Sequence, residues 1–138
     1  MSACAKCGYD AAAVVVARWS FVVDRDPPSL NARLHNSGAR RWAYKRERDD
    51  WRTEIRGHKF ARGVRVAAER RRVTLTRLYA GRQKRRDQDN LAGGMKAVVD
   101  ALVLEALLVD DSEQHSEIHY AQVRGDQRGL LIEIEVLG

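Results

Sequence analysis

RRVTLTRLYA, residues 71–80, and DQDNLAGGMKAVVDAL, residues 87–102, stand either side of a basic turn, and reading them together decides the fold. The first is dense in β-branched residues and predicts a strand. In the second, Leu91, Met95, Val98 and Leu102 follow the i, i+4, i+7, i+11 series that draws one apolar stripe along a helix. That helix is predicted from about Leu91 to Leu107, weakened locally by Gly93 and Gly94.

Working outward, EIHYAQVRG (117–125) and GLLIEIEVLG (129–138) read as two strands of a hairpin turning at Gly125-Asp126-Gln127-Arg128-Gly129. The last alternates Leu131, Glu133 and Glu135 with Ile132, Ile134 and Val136, the period of a half-buried strand. Upstream, AAAVVVARWSFVVD (11–24) predicts a first strand. PPSLNARLHNSGARR (27–41) predicts an irregular loop of the kind that carries function. WAYKRERDDWRTEIRGHKF (42–60) predicts a basic helix. The order β-α-β-α-β-β gives an α/β fold, α+β-like, as a single layered domain with a mixed sheet. With 138 residues, 44% of them hydrophobic, one domain covers the chain, and residues 1–10 are expected to form a flexible tail.

No apolar run approaches the roughly 18 residues of a membrane span, and the N-terminus lacks a basic-then-apolar leader. A soluble, cytoplasmic protein is the expectation. Cys4 and Cys7 form one CxxC near the terminus; a structural zinc site needs four ligands and none of the four histidines is suitably paired, so two reduced thiols are expected.

Charge is unevenly distributed. Residues 1–90 hold 22 Lys and Arg against 10 Asp and Glu, a net of +12, whereas residues 91–138 hold 3 against 9, a net of −6. An arginine-rich part of a small domain is the footprint expected for a polyanion such as nucleic acid, although such helices are also merely well solvated.

Two carboxylates nevertheless follow the most basic run, GRQKRR. In an extended segment Asp87 and Asp89 face the same way, with Gln88 opposite. Asp89 or Asn90 also stands where a helix N-cap belongs, so one acid is accounted for by capping. Asp110 and Asp111, expected beyond the far end of the same helix, oppose its dipole unless they cap the next turn or bind a cation. A magnesium ion held by carboxylate oxygens would account for all of these positions. Lys96, seven residues after Asp89, lies on the same helix face and would reach a phosphate oxygen; its alternative is an i, i+4 pair with Asp100.

Asp87-Gln88-Asp89-Asn90-Leu91, Lys96, Asp100-Ala101-Leu102 and Asp110-Asp111-Ser112 together resemble the RusA-type Holliday junction resolvases. Pro27-Pro28-Ser29-Leu30-Asn31 after the first strand is similar to that family's proline, serine and asparagine loop, so the likeness runs from about residue 15 to 137. The resemblance implies a homodimeric endodeoxyribonuclease of bacteria or their phages that uses Mg2+, or Mn2+ as a substitute, to cut four-way or other branched DNA at symmetric positions. It implies metal-binding, catalytic roles for Asp87, Asp89 and Asp111 and a catalytic role for Lys96, although the family's lysine stands where this chain has Gly93. Lys84, Arg85, Arg86 and Asn31 are the expected DNA contacts, with Asn90 and Asp110 in support. The alternative is a non-catalytic nucleic-acid-binding module of similar fold.

Overall fold

The computed structural model describes residues 14–30 and 40–138. The β-α-β-α-β-β order expected from the sequence is present: strand β1 (Val15–Val23), helix α1 (Arg40–Arg62), strand β2 (Arg71–Tyr79), consecutive helices α2 (Gln88–Gly94) and α3 (Lys96–Leu104), and strands β3 (Ser116–Arg124) and β4 (Gly129–Leu137). Asn31, Cys4 and Cys7, and the expected N-terminal tail, lie outside the described residues.

The four strands form one mixed sheet in the order β1-β4-β2-β3. β4 pairs antiparallel with both β1 and β2, and β2 pairs parallel with β3. This corrects the expected hairpin: β3 and β4 follow each other in the chain but enclose β2 between them. β2 is buried along nearly its whole length, which suits a central strand. The connection at 125–128 crosses its end, and the Gly125 N–H donates to the Tyr79 carbonyl at 2.9 Å. Two strand spacings are about 10 Å and four extended residues reach about 13 Å, so this short connection suffices.

The helices cover one face of the sheet. The stripe read from the sequence is the buried one, with Leu91, Met95, Val98 and Leu102 at most 1% exposed. It packs with Trp51 and Ile55 of α1 and with Phe21, Val73, Leu75, Ile132 and Ile134 of the sheet. The single helix expected over 91–107 is broken at Met95, whose N–H donates to the Ala92 carbonyl, and ends at Leu104. Beside the break, a β-carbon at Gly94 would stand 1.8 Å from the Pro28 carbonyl oxygen, so only glycine admits the proline loop against α2.

α1 is fastened to the end of α3 by one acid. The buried Glu105 carboxylate accepts from Arg52 Nε at 3.0 Å and from Arg56 Nε and Nη2 at 2.9 Å, while its carbonyl accepts from Lys59 Nζ at 2.8 Å. No helix among the described residues is long and apolar enough to cross a membrane.

Candidate functional site

The segment 80–90 carries the first cluster of candidate residues, and its backbone is held from inside the fold. Arg77, on the central strand and 2% exposed, donates to the Lys84 carbonyl at 2.9 Å and to Asp26 at 3.2 Å. Gln122 on β3 accepts from the Arg86 N–H and donates to the Arg86 carbonyl. Arg124 donates to the carbonyls of Gly81 and Gln83. The segment is therefore a held platform despite its loop composition, because the carbonyls of Gly81, Gln83, Lys84 and Arg86 and the Arg86 amide all have side-chain partners.

On this platform Lys84 and Arg85 are exposed. Arg86 is turned inward, contrary to its expected DNA contact: its guanidinium donates to the Pro27 carbonyl at 2.6 Å and reaches Asp26 at 3.5 Å. Burial and the neighbouring Arg77 lower its pKa, with Asp26 acting the other way. One arginine in the run is thus needed to tie the proline loop to the platform, which composition does not distinguish from its neighbours.

The acids also differ from the extended geometry expected for them. Asp87 is the N-cap of α2, with its carboxylate accepting from the Asn90 N–H at 2.9 Å and Asn90 Nδ2 at 2.8 Å. The cap is therefore Asp87, two residues before Asp89, the nearer of the positions weighed from the sequence, and Asn90 supports it. Asp89 lies in the first helical turn, exposed, so strand alternation does not align the two carboxylates. An acid there complements the positive helix end.

A second cluster lies where α1 and α3 meet the loop before β3. Arg48, Asp100, Val103, Leu104, Asp110 and Asp111 line a shallow cleft of about 260 Å3. Lys96 Nζ is 3.3 Å from Asp100, the i, i+4 pair set against the catalytic reading, and lies 5.9 Å from the centre of the Tyr44 ring. The Tyr44 hydroxyl donates to the same Asp100 carboxylate. Asp110 caps the turn ahead of β3: it accepts from the Ser112 N–H at 2.9 Å, from the Ser112 hydroxyl and from His115, and the Ser112 bonds hold its carboxyl below the ordinary range. Asp111 is exposed beside Tyr120, whose phenol is pushed up by burial and then by this carboxylate. Since α3 ends at Leu104, the dipole argument for Asp110 and Asp111 does not apply.

The chain matches no family model, and a search of curated proteins finds no match either.

The sequence therefore named Asp87, Asp89 and Asp111, whereas the structure places Asp111 with Asp100 and Asp110. Asp100, Tyr44 and Arg48 were not among the expected site residues. Asp100 stood in the sequence as part of the Asp-Ala-Leu motif and as a partner for Lys96, without a site role, and nothing in the spacing of α1 indicated that Tyr44 faces α3.

Asp89 and Asp111 are exposed carboxylates with no hydrogen bond or salt bridge among the described residues. Such hard oxygen donors suit magnesium, which commonly takes one or two protein carboxylates and fills its other positions with water and phosphate. Among the described residues, no three His, Cys, Asp or Glu side chains gather into a group able to hold a metal ion. The donors fit the ion in their chemistry without forming a closed cage.

Proposed function

We propose that this protein is a magnesium-dependent endonuclease of branched DNA, with four-way junctions as its preferred substrate, acting as a homodimer in the cytoplasm of a bacterium or phage-infected cell. The observation that carries the reading is the platform at 80–90, where exposed Lys84 and Arg85 precede exposed Asp87 and Asp89 on a backbone fixed by Arg77, Gln122 and Arg124. A surface that served only to bind phosphate would lose affinity by presenting carboxylates beside its cations.

Lys84 and Arg85 draw the DNA backbone and set its register without reading sequence. Asp87 and Asp89 would offer carboxylates to the metal from the platform, with Asp111 joining them from the second cluster, and the bound ion would supply activation of water and stabilisation of charge on the phosphodiester. Lys96 donates to a phosphate oxygen after release from Asp100. Gln122 and Arg77 keep the platform from yielding when the substrate presses on it. A two-fold dimer matches the approximate two-fold symmetry of a four-way junction.

A non-catalytic DNA-binding module of the same fold is favoured by one observation, that Asp87 and Asp110 are both engaged as caps. The test is incubation of the protein with a synthetic four-way junction and a linear duplex, with and without magnesium. Magnesium-dependent nicking of the junction supports the nuclease, and metal-independent binding without nicking supports the module.

A further inference from the structure

Most cations of α1 are engaged inside the molecule, and the exception lies at its N-terminal end. Arg52, Arg56 and Lys59 are committed to Glu105, and Arg48 reaches Asp49 at 3.3 Å. Arg41, Lys45 and Arg46 remain exposed, and beside them Trp42 is 71% exposed. Trp42, Lys45, Arg46 and Asp49 follow the i, i+3, i+4, i+7 spacing of one helix face. With Asp50 they line a recess of about 270 Å3. An exposed indole, two cations and two carboxylates around one recess are a complementary set for one chemical group: a flat aromatic ring that carries an amino substituent and is joined through a sugar to a phosphate.

We propose that this recess is a nucleobase subsite, which takes one unstacked base of single-stranded or branched DNA. Trp42 stacks on the face of the base, as aromatic side chains do in proteins that bind single strands. Lys45 and Arg46 contact the flanking phosphates, with Arg41 adding to the local field. Asp49 accepts a hydrogen bond from an exocyclic amine, which cytosine has and thymine lacks. Its oxygens retain acceptor capacity beside Arg48, since a carboxylate offers about four lone-pair sites. Asp49 and Asp50, which is 3.4 Å from Arg25, repel phosphate and so favour the nucleotide with its base, not its phosphate, toward them. The subsite rests on the proposed action on DNA but not on hydrolysis. It gives a reason for preferring branched substrates, because a continuous duplex has no unstacked base to offer.

The experiment measures binding by fluorescence anisotropy, without divalent metal, of short single-stranded oligo-dC and oligo-dT, a four-way junction and a blunt duplex. Wild-type protein is compared with Trp42→Ala, Trp42→Phe and Asp49→Asn. The expected result is a loss of roughly 5-fold or more in single-strand and junction affinity for Trp42→Ala. Duplex affinity should be unchanged, Trp42→Phe should restore most of the loss, and a wild-type preference for oligo-dC should disappear in Asp49→Asn. Unchanged affinity of Trp42→Ala, or an equal loss on blunt duplex, overturns the subsite while leaving the proposed nuclease standing. So does a change of Trp42→Ala from dimer to monomer in sedimentation, which would make Trp42 an interface between copies. Failure of the wild-type protein to bind any of these DNAs overturns both readings.

Discussion

Gln122 holds Arg86 by both polar groups of its main chain, with the side-chain oxygen accepting from the Arg86 N–H at 3.0 Å and the side-chain nitrogen donating to its carbonyl. A residue on the edge strand β3 thereby fixes the turn that presents Lys84, Arg85 and Asp87. Gln122→Ala leaves two partly buried main-chain groups without partners, each worth about 1–3 kcal/mol. The expected outcome is a lower urea midpoint together with faster amide exchange across 82–89. Exchange in α1 should rise only by as much as global stability falls.

Asp87 caps α2, and on the proposed reading it has a second, separable task, supplying a carboxylate to the metal. Asn caps as well as Asp does, whereas Ala costs about 0.5–2 kcal/mol at an N-cap. Asp87→Asn should therefore unfold near the wild-type midpoint, Asp87→Ala should be less stable, and neither should cleave DNA. Asp89→Asn and Asp111→Asn should also lose cleavage while binding junctions as well as or better than wild type. A cleaving Asp87→Asn protein would reduce this residue to a cap.

Lys96 sits 3.3 Å from Asp100 in an exposed pair, and such pairs are worth about 0–1 kcal/mol. If its ammonium contacts the scissile phosphate during the reaction, Lys96→Ala should lower the turnover rate by roughly 10²-fold with little change in binding or stability. Lys96→Arg should rescue only partly, because a guanidinium is not a compact point donor. Full turnover by Lys96→Ala would leave the residue as a helix-surface pair and direct attention to Lys84 and Arg85.

Glu105 gives the fold its expected acid sensitivity. Hydrogen bonding from Arg56 is the largest cause holding its carboxyl down to about 2, aided by Arg52 and opposed by burial. A carboxyl depressed on folding contributes its full stability above its unfolded value near 4.5, and loses that contribution as pH falls toward 2. The shift sets an upper limit of about 3 kcal/mol, reduced by screening at the half-exposed Arg56. Urea titrations between pH 6 and 2 should show this loss in wild type, and Glu105→Gln should be less stable at neutral pH with a flatter profile.

Local periodicity made much of this fold legible. The stripe Leu91, Met95, Val98, Leu102 and the alternation of β4 are buried as their spacing requires, since each is fixed by the geometry of a single element. The strand order was not legible. Whether β3 pairs with β4 or admits β2 between them depends on long-range burial, and the Gly-rich 125–129 connection is compatible with both. The close approach of the Pro28 carbonyl to Gly94, beside the break at Met95, was not legible either, because it joins residues distant in the chain. The acidic positions were legible as anomalies in a basic region. Their grouping was not, because α1 brings Arg48 to the cleft and the Tyr44 hydroxyl to its Asp100 through tertiary packing alone. Arg71, Arg72 and Arg77 similarly contributed to the basic count but are at most 3% exposed on the central strand.

The central claim is that exposed acids beside a cationic platform cut branched DNA, and end-labelled four-way junction incubated with the wild-type protein and magnesium tests it most directly. The account predicts paired nicks at symmetric positions, dependence on magnesium, loss of nicking in Asp89→Asn and Asp111→Asn with junction binding retained, and no comparable cutting of linear duplex. Tight binding of the junction with no magnesium-dependent nicking, or nicking that persists in both variants, would contradict it.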